Sequence, residues 1–142
     1  MIGPATAHDL PGIRALLAQL HLPLAGVDQH LPTMLVAREG EQIVGTAGLE
    51  LYPDGALLRS VAVEPSRQGQ QLGRQLTDAA LQLAASRGAD TVFLLTTTAE
   101  NFFPRFGFAP IARDEVPQSV RASVEFRSAC PASAIVMRKR LG

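Results

Sequence analysis

The sequence predicts a mixed α/β fold: one sheet, antiparallel in its first half, with helices packed on its faces. Three observations carry this. Strand-like segments joined by tight turns run from Thr33 to Val63 as a three-strand meander. A strand, a turn, a long amphipathic helix and another strand follow between Ala56 and Thr96, and such a unit joins parallel neighbours through a right-handed crossover. The 142 residues, 46% hydrophobic, are enough for one domain with a sizeable core, so residues 1–142 read as a single domain. No internal repeat or low-complexity linker interrupts them.

In order, Met1–Ala5 is an edge strand interrupted by Pro4. A helix starts near Thr6 to Asp9 with Pro11 in its first turn, and Leu10, Ile13, Leu16, Leu17 and Leu20 recur at helical spacing. His21 to Leu31 contains Pro23 and Gly26 and reads as a loop. Thr33–Arg38, Gln42–Tyr52 and Ala56–Val63 are the meander, with Pro53-Asp54-Gly55 as a hairpin signal. Gln70–Arg87 is the long helix, its buried stripe formed by Leu72, Leu76, Ala79, Ala80, Leu83 and Ala84, and Gly88 ends it. Asp90–Thr96 is apolar on both faces and predicts a buried strand. Thr98–Arg105 is a short helix, Gly107–Ala112 a strand, Val116–Ala122 one or two helical turns, and Ala132–Arg138 the final strand.

Composition excludes several classes. With 13 basic and 13 acidic residues the chain lacks the basic excess of a general nucleic-acid binder. One cysteine, Cys130, rules out an intrachain disulfide, and three scattered histidines with one cysteine argue against a zinc site, so no metal is expected. No apolar run reaches membrane-spanning length and no signal-peptide pattern opens the chain, so a cytoplasmic setting is expected.

The stretch "VAVEPSRQGQQLGRQL", Val61 to Leu76, is the first candidate site. Where a parallel strand gives way to a helix, the first helical amides have no intrahelical partner and the helix dipole adds partial positive charge. Such a turn holds an anion. Arg67 and Arg74 flank it, and Gly69 and Gly73 permit close backbone approach. Taken alone, it reads equally well as a plain strand–helix turn. It is not a Walker loop, since no Lys-Ser or Lys-Thr follows its last glycine, and its mid-chain place disfavours a dinucleotide fold.

Three features together resemble the GNAT superfamily of acetyl-CoA-dependent N-acetyltransferases: "LLRSVAVEPSRQGQQLGRQLTDAAL", "DTVFLLTTTAENFFPRFGF" and the order of elements across nearly the whole chain. Within it, "LLTTTAENFFPRFGF" with "VRASVEFRSACPASAIVM" is most similar to acetyltransferases found with arsenic-resistance genes. The resemblance implies a mostly antiparallel six- to seven-stranded sheet with a splayed parallel pair and about four flanking helices. It implies acetyl-CoA as cosubstrate, with the pyrophosphate on the loop Gln68, Gly69, Gln70, Gln71, Leu72, Gly73 and Arg74. Val61 and Val63 then offer backbone groups to pantetheine, and a main-chain amide near Val61 can stabilise the tetrahedral oxyanion. Gln71 stands where the family has its middle glycine. Because it lies where the helix starts, helical dihedrals are expected there; a positive φ would cost roughly 1 kcal/mol or more. Phe103, on the cofactor side, stands where many members place a tyrosine acid, and the only tyrosine, Tyr52, lies elsewhere. Either water protonates the leaving thiolate, since thiols titrate near about 8.5, or another group takes the tyrosine's place.

The acceptor would be a small amine, such as an amino acid or its arsenic or phosphorus analogue. Thr96, Thr97, Thr98, Glu100 and Asn101 gather at one strand end; Thr97 and Asn101 are candidate substrate contacts, although Thr98 with the residues behind it also fits ordinary capping. An Asp54-Gly55 turn pairs Glu50 with Arg59, on the side that carries Val61 and Val63. Glu50 can take a proton from the ammonium through water, and Arg59 can bind an oxyanion of the substrate; the pair also reads as a cross-strand salt bridge. Arg121, Ser123, Glu125 and Arg127 alternate, either closing over the substrate or forming an exposed polar face. Cys130 fits a small buried space better than a nucleophile, and His30 is placed on the surface, the one histidine near the acceptor side. A non-catalytic acyl-CoA-binding or regulatory domain and a protein N-acetyltransferase are the rival readings. The final strands offer a homodimer surface.

Overall fold

The computed structural model describes residues 2–129 and 133–141. Its strands are β1 (Ile2–Pro4), β2 (Met34–Glu39), β3 (Gln42–Tyr52), β4 (Gly55–Val63), β5 (Thr91–Thr96), β6 (Ala109–Ile111) and β7 (Ile135–Arg140). Its helices are α1 (Leu10–Gln19), α2 (Leu72–Ser86) and the single turn α3 (Gln118–Arg121), with a further helical turn over Glu125–Ala129. The strands form one sheet in the order β1-β2-β3-β4-β5-β7-β6. Every neighbouring pair is antiparallel except β4 and β5. This is the mixed α/β GNAT-like architecture the sequence implies.

Helix α2 covers one face, packing Leu76, Ala80, Leu81 and Ala84 on Val44, Ala47, Leu49, Leu58 and Leu94. Thr77 is also buried, its hydroxyl donating to the Gly73 carbonyl at 2.8 Å. Helix α1 covers the other face through Ile13, Leu16 and Leu17 against Met34, Val36 and Ala62. Val116 and Val120, around α3, extend that cover over Leu57, Phe93 and Val136. The entry to α1 is fixed locally, since the Thr6 amide donates to Asp9 Oδ2 at 2.8 Å. Asp9 is tied in turn to Arg38.

Several expectations change. The hairpin loop is Pro53-Asp54, because Tyr52 pairs with Gly55 and Glu50 with Leu57. Glu50 and Arg59 are therefore diagonal neighbours. A slip of two residues leaves side chains on their original face, so the two still meet. A bulge then intervenes: Thr46 pairs with Ala62 but Gly48 with Arg59, setting Ser60 and Val61 opposite Ala47 alone. Ser60 takes φ 58° there. The extra residue inverts the alternation, so Val61 and Val63 join Ala56 and Leu58 on the α2 face. They do not share the side of Glu50 and Arg59. The predicted helix over Thr98–Arg105 is a tight turn, Phe103–Phe106, ended by Gly107 at φ 95°. Ser123 lies in a bend, and Glu125 to Arg127 lie in the helical turn that follows. Cys130 lies outside the described residues.

Candidate active-site cleft

Strands β4 and β5 pair only at Ala56 with Val92 and Leu57 with Phe93. Beyond these pairs the strands separate, and a cleft of about 1070 Å³ opens between Leu58–Val63 and Leu94–Thr96. At its wide end the turn after β4 lines it through Gln68, Gly69, Gln71, Gly73 and Arg74; Gln70 and Leu72 stand outside the lining. Near the pivot it is lined by Leu20 to Pro23, Arg59, Ser60 and Glu125.

The turn is shaped by local bonds and by left-handed residues. Gln68 folds back, its side-chain amide donating to the Val63 carbonyl at 3.1 Å. Gly69 takes φ 86°. The first amides of α2 have no partners within the helix. Gly73 is seated closely, where a Cβ would lie 3.5 Å from Val63 and 3.7 Å from the Phe102 ring. Arg67 is tethered to Glu39 on β2, while its Nε is buried without a partner. Gln71 departs from expectation: it is left-handed, φ 65° and ψ 10°, as the residue capping α2. The chain must reverse sharply to enter the helix, which the family's glycine does without strain and Gln does at a cost of about 1 kcal/mol. Gln71→Gly is expected to raise stability by at most about 0.5 kcal/mol in urea unfolding, after the added freedom of the unfolded glycine is subtracted; a loss above about 0.5 kcal/mol would mean that the Gln side chain holds the turn.

Aromatic rings form the β5 wall. Phe102 meets Phe103 at 5.1 Å and Phe106 at 5.2 Å between ring centres, and Phe103 meets Phe108 at 5.9 Å. Phe103 lines the cleft but is otherwise a core residue. Thr97 lines the cleft, whereas Asn101 is exposed and outside the lining. The cap at this strand end comes from Thr96, whose hydroxyl accepts from the Ala99 amide at 2.9 Å, rather than from Thr98.

At the pivot lies a buried polar cluster. Glu50 is 0% exposed. Its carboxylate accepts from Arg59 Nη1 at 2.7 Å, Ser123 Oγ at 2.5 Å and the Tyr52 hydroxyl, and His30 Nε2 lies 3.6 Å away. Burial pushes the Glu50 carboxyl up, but the hydrogen bonds from Ser123, Tyr52 and Arg59, with His30 beside them, outweigh it and hold it below the ordinary glutamate value. Burial and the bond to Glu50 push the Tyr52 phenol up to about 12. Arg59 spends its other donors on Ala25 O at 2.7 Å, Pro23 O at 3.4 Å, Ser60 Oγ at 3.1 Å and Glu125 Oε2 at 3.4 Å. It thus clamps the loop before β2 to the sheet. Gly26, at φ 81°, permits this approach, since a Cβ there would lie 3.0 Å from the guanidinium.

The cluster changes several sequence readings. Glu50 does not reach the cleft and, saturated with donors, is an anchor rather than a proton acceptor. Arg59 lines the cleft, yet its donors are engaged within the protein. Tyr52 belongs to the cluster through its bond to Glu50, and His30 faces Glu50 rather than solvent alone. Ser123 and Glu125, 2% and 4% exposed, are not an exposed polar face. Their alternation in "RASVEF" marked them as candidates, but only the fold shows that they turn inward. Among the described residues no group of three or more His, Cys, Asp and Glu is placed to hold a metal, and no helix is long and apolar enough to cross a membrane.

Residues 30–110 match the acetyltransferase (GNAT) domain family. Among curated proteins, an amino-acid acetyltransferase of Vibrio atlanticus is 31% identical over 64% of this chain and 21% of its own length. One of Mycobacterium tuberculosis is 36% identical over 56% of this chain and 45% of its own. The chain therefore spans less than half of either relative. Among solved structures, N-acetylglutamate synthase from Neisseria gonorrhoeae, complexed with coenzyme A and N-acetylglutamate, superposes with a TM-score of 0.86 at 22% identity, covering 100% of this chain and 35% of that one. A Mycobacterium tuberculosis protein in complex with CoA gives 0.84 at 24% identity, covering 100% and 99%.

Proposed function

From the chain's membership of the GNAT acetyltransferase family, we propose that it transfers the acetyl group of acetyl-CoA to the amine of a small, amino-acid-like molecule. The observation that carries this is the cleft itself: a parallel pair held at two positions and then open, with an anion-binding turn at one end and a buried charge cluster at the other. Acetyl-CoA suits it. The turn amides and Arg67, with its buried unpartnered Nε, meet the phosphates. The unpaired edge of Val61 to Val63 meets the pantetheine arm. The backbone at the Ser60–Val61 bulge meets the thioester, with the Val61 amide as oxyanion donor. The acceptor enters from the Arg59 and Glu125 side, past Thr97. Amino acids follow from the names of the matched relatives; the arsenic and phosphorus analogues follow from the motif resemblance alone. No acid stands at Phe103, so solvent protonates the leaving thiolate.

The rival reading, a non-catalytic acyl-CoA-binding domain, draws on that same missing acid. Thiol release from acetyl-CoA with a panel of the common L-amino acids and phosphinothricin separates the two. Turnover with at least one member is expected. Tight acetyl-CoA binding with no amine acetylated would leave only the binding domain.

A further inference from the structure

We propose that the Ser60 hydroxyl is a second hydrogen-bond donor to the thioester oxygen, beside the Val61 amide, and so a catalytic residue. This rests on the acetyl-transfer reading above. Ser60 lines the cleft and is 9% exposed. It sits in the β4 bulge at φ 58°, a backbone shape that residues with a side chain rarely adopt. Glycine would take that shape without strain. A serine there points to a use for its side chain.

The surroundings leave that side chain one free capacity. Ser60 Oγ accepts from Arg59 Nε at 3.1 Å. Arg59 is itself held by Glu50 at 2.7 Å and by the Ala25 carbonyl at 2.7 Å, which makes it a positioning residue for the hydroxyl. A hydroxyl has one proton and two lone pairs. Here a cation occupies one lone pair, and the proton finds no acceptor among the described residues. Donation from the cation polarises the O–H group and strengthens the bond its proton can make.

The backbone adds the second donor. The buried Thr46 hydroxyl donates to the Ser60 carbonyl at 2.7 Å. In a trans peptide the carbonyl and the next N–H point opposite ways, so the Val61 amide is turned away from Thr46 on β3, toward the side where β4 has parted from β5. Ser60 Oγ and Val61 N lie within about 5 Å of each other in any rotamer, by covalent geometry alone. One oxygen can accept from both.

The step balances as follows. The neutral amine's lone pair attacks the thioester carbonyl carbon, and the C=O π pair moves onto oxygen. Ser60 and Val61 donate hydrogen bonds to that oxyanion and keep their protons. The pair returns, the C–S bond breaks, and the sulfur leaves with the bonding pair. Nitrogen loses a proton to water and sulfur takes one from water, giving N-acetylamine and free thiol.

The test compares wild type, Ser60→Ala and Ser60→Gly with acetyl-CoA and the fastest acceptor of the amino-acid panel. Ser60→Ala is expected to lower kcat about a hundredfold, with the KM of both substrates within about threefold. Ser60→Gly should lose as much rate while unfolding no earlier in urea than Ser60→Ala, because glycine relieves the left-handed backbone; this separates the loss from misfolding. The infrared carbonyl stretch of bound acetyl-CoA, isotope-labelled at the acetyl carbonyl, reads the contact without turnover. It should move to lower frequency on wild type and less far on both variants. Variants within about threefold of the wild-type kcat, with the same carbonyl shift, would overturn the assignment and leave acetyl transfer standing. A wild type that acetylates no amine, yet shifts the carbonyl further than the variants do, would remove the transfer reading and keep the Ser60 contact.

Discussion

Arg59→Met lowers the free energy of unfolding by about 3–5 kcal/mol, the range for breaking a buried ion pair from one side. The magnitude follows from what remains. Glu50 and Glu125, 0% and 4% exposed, lose the cation between them. The Ala25 and Pro23 carbonyls lose their donor, so the loop before β2 comes off the sheet. Urea unfolding measures the loss. The double variant Glu50→Gln with Arg59→Met should recover part of it, because removing both charges leaves less buried charge unmatched than removing one. Arg59→Lys should not restore stability fully, since a point charge cannot span Glu50, Ala25 and Ser60 at once. A loss below about 1 kcal/mol would show that water already screens the cluster.

Gly55→Ala costs about 2–4 kcal/mol, from overpacking and a left-handed penalty together. Gly55 has φ 150°, and a Cβ there would stand 3.0 Å from the Thr91 carbonyl and 2.9 Å from the Phe93 ring. Neither neighbour yields easily, one being backbone and the other a buried ring in β5. The clash falls beside the only two register pairs that join β4 to β5. The variant should therefore lose acetyl-CoA turnover as well as thermal stability, since the cleft's width is set from this point. Unfolding within about 0.5 kcal/mol of wild type, with unchanged turnover, would show that the pivot has slack.

Much of this was legible in the chain. Alternation and turn residues gave the meander, and the strand–helix–strand unit gave the parallel crossing. What escaped depends on tertiary contact. Asp54-Gly55 has the composition of a tight turn, but Gly55 is needed inside β4, where Phe93 and Thr91 crowd it, so the turn moves back to Pro53-Asp54. The two-residue slip preserved faces, which is why Glu50 and Arg59 were rightly brought together from the wrong register. The bulge at Ser60 has no glycine or proline to announce it, so the inversion that turns Val61 and Val63 toward α2 was invisible. The neighbours of Gln71 point to helical dihedrals, yet the reversal into α2 is a property of the whole turn. Ser123 and Glu125 stand more than sixty positions from their partners Glu50 and Arg59, beyond the reach of local pattern.

The two-pair junction between β4 and β5 also has a mechanical meaning. Four strands on one side and three on the other meet there like boards joined at one corner, braced by α2 across the gap. Under load, parting should begin along this seam rather than between the long antiparallel ladders. A molecule lodged in the opening would act as a strut, so the force needed to split the sheet should rise with its occupancy.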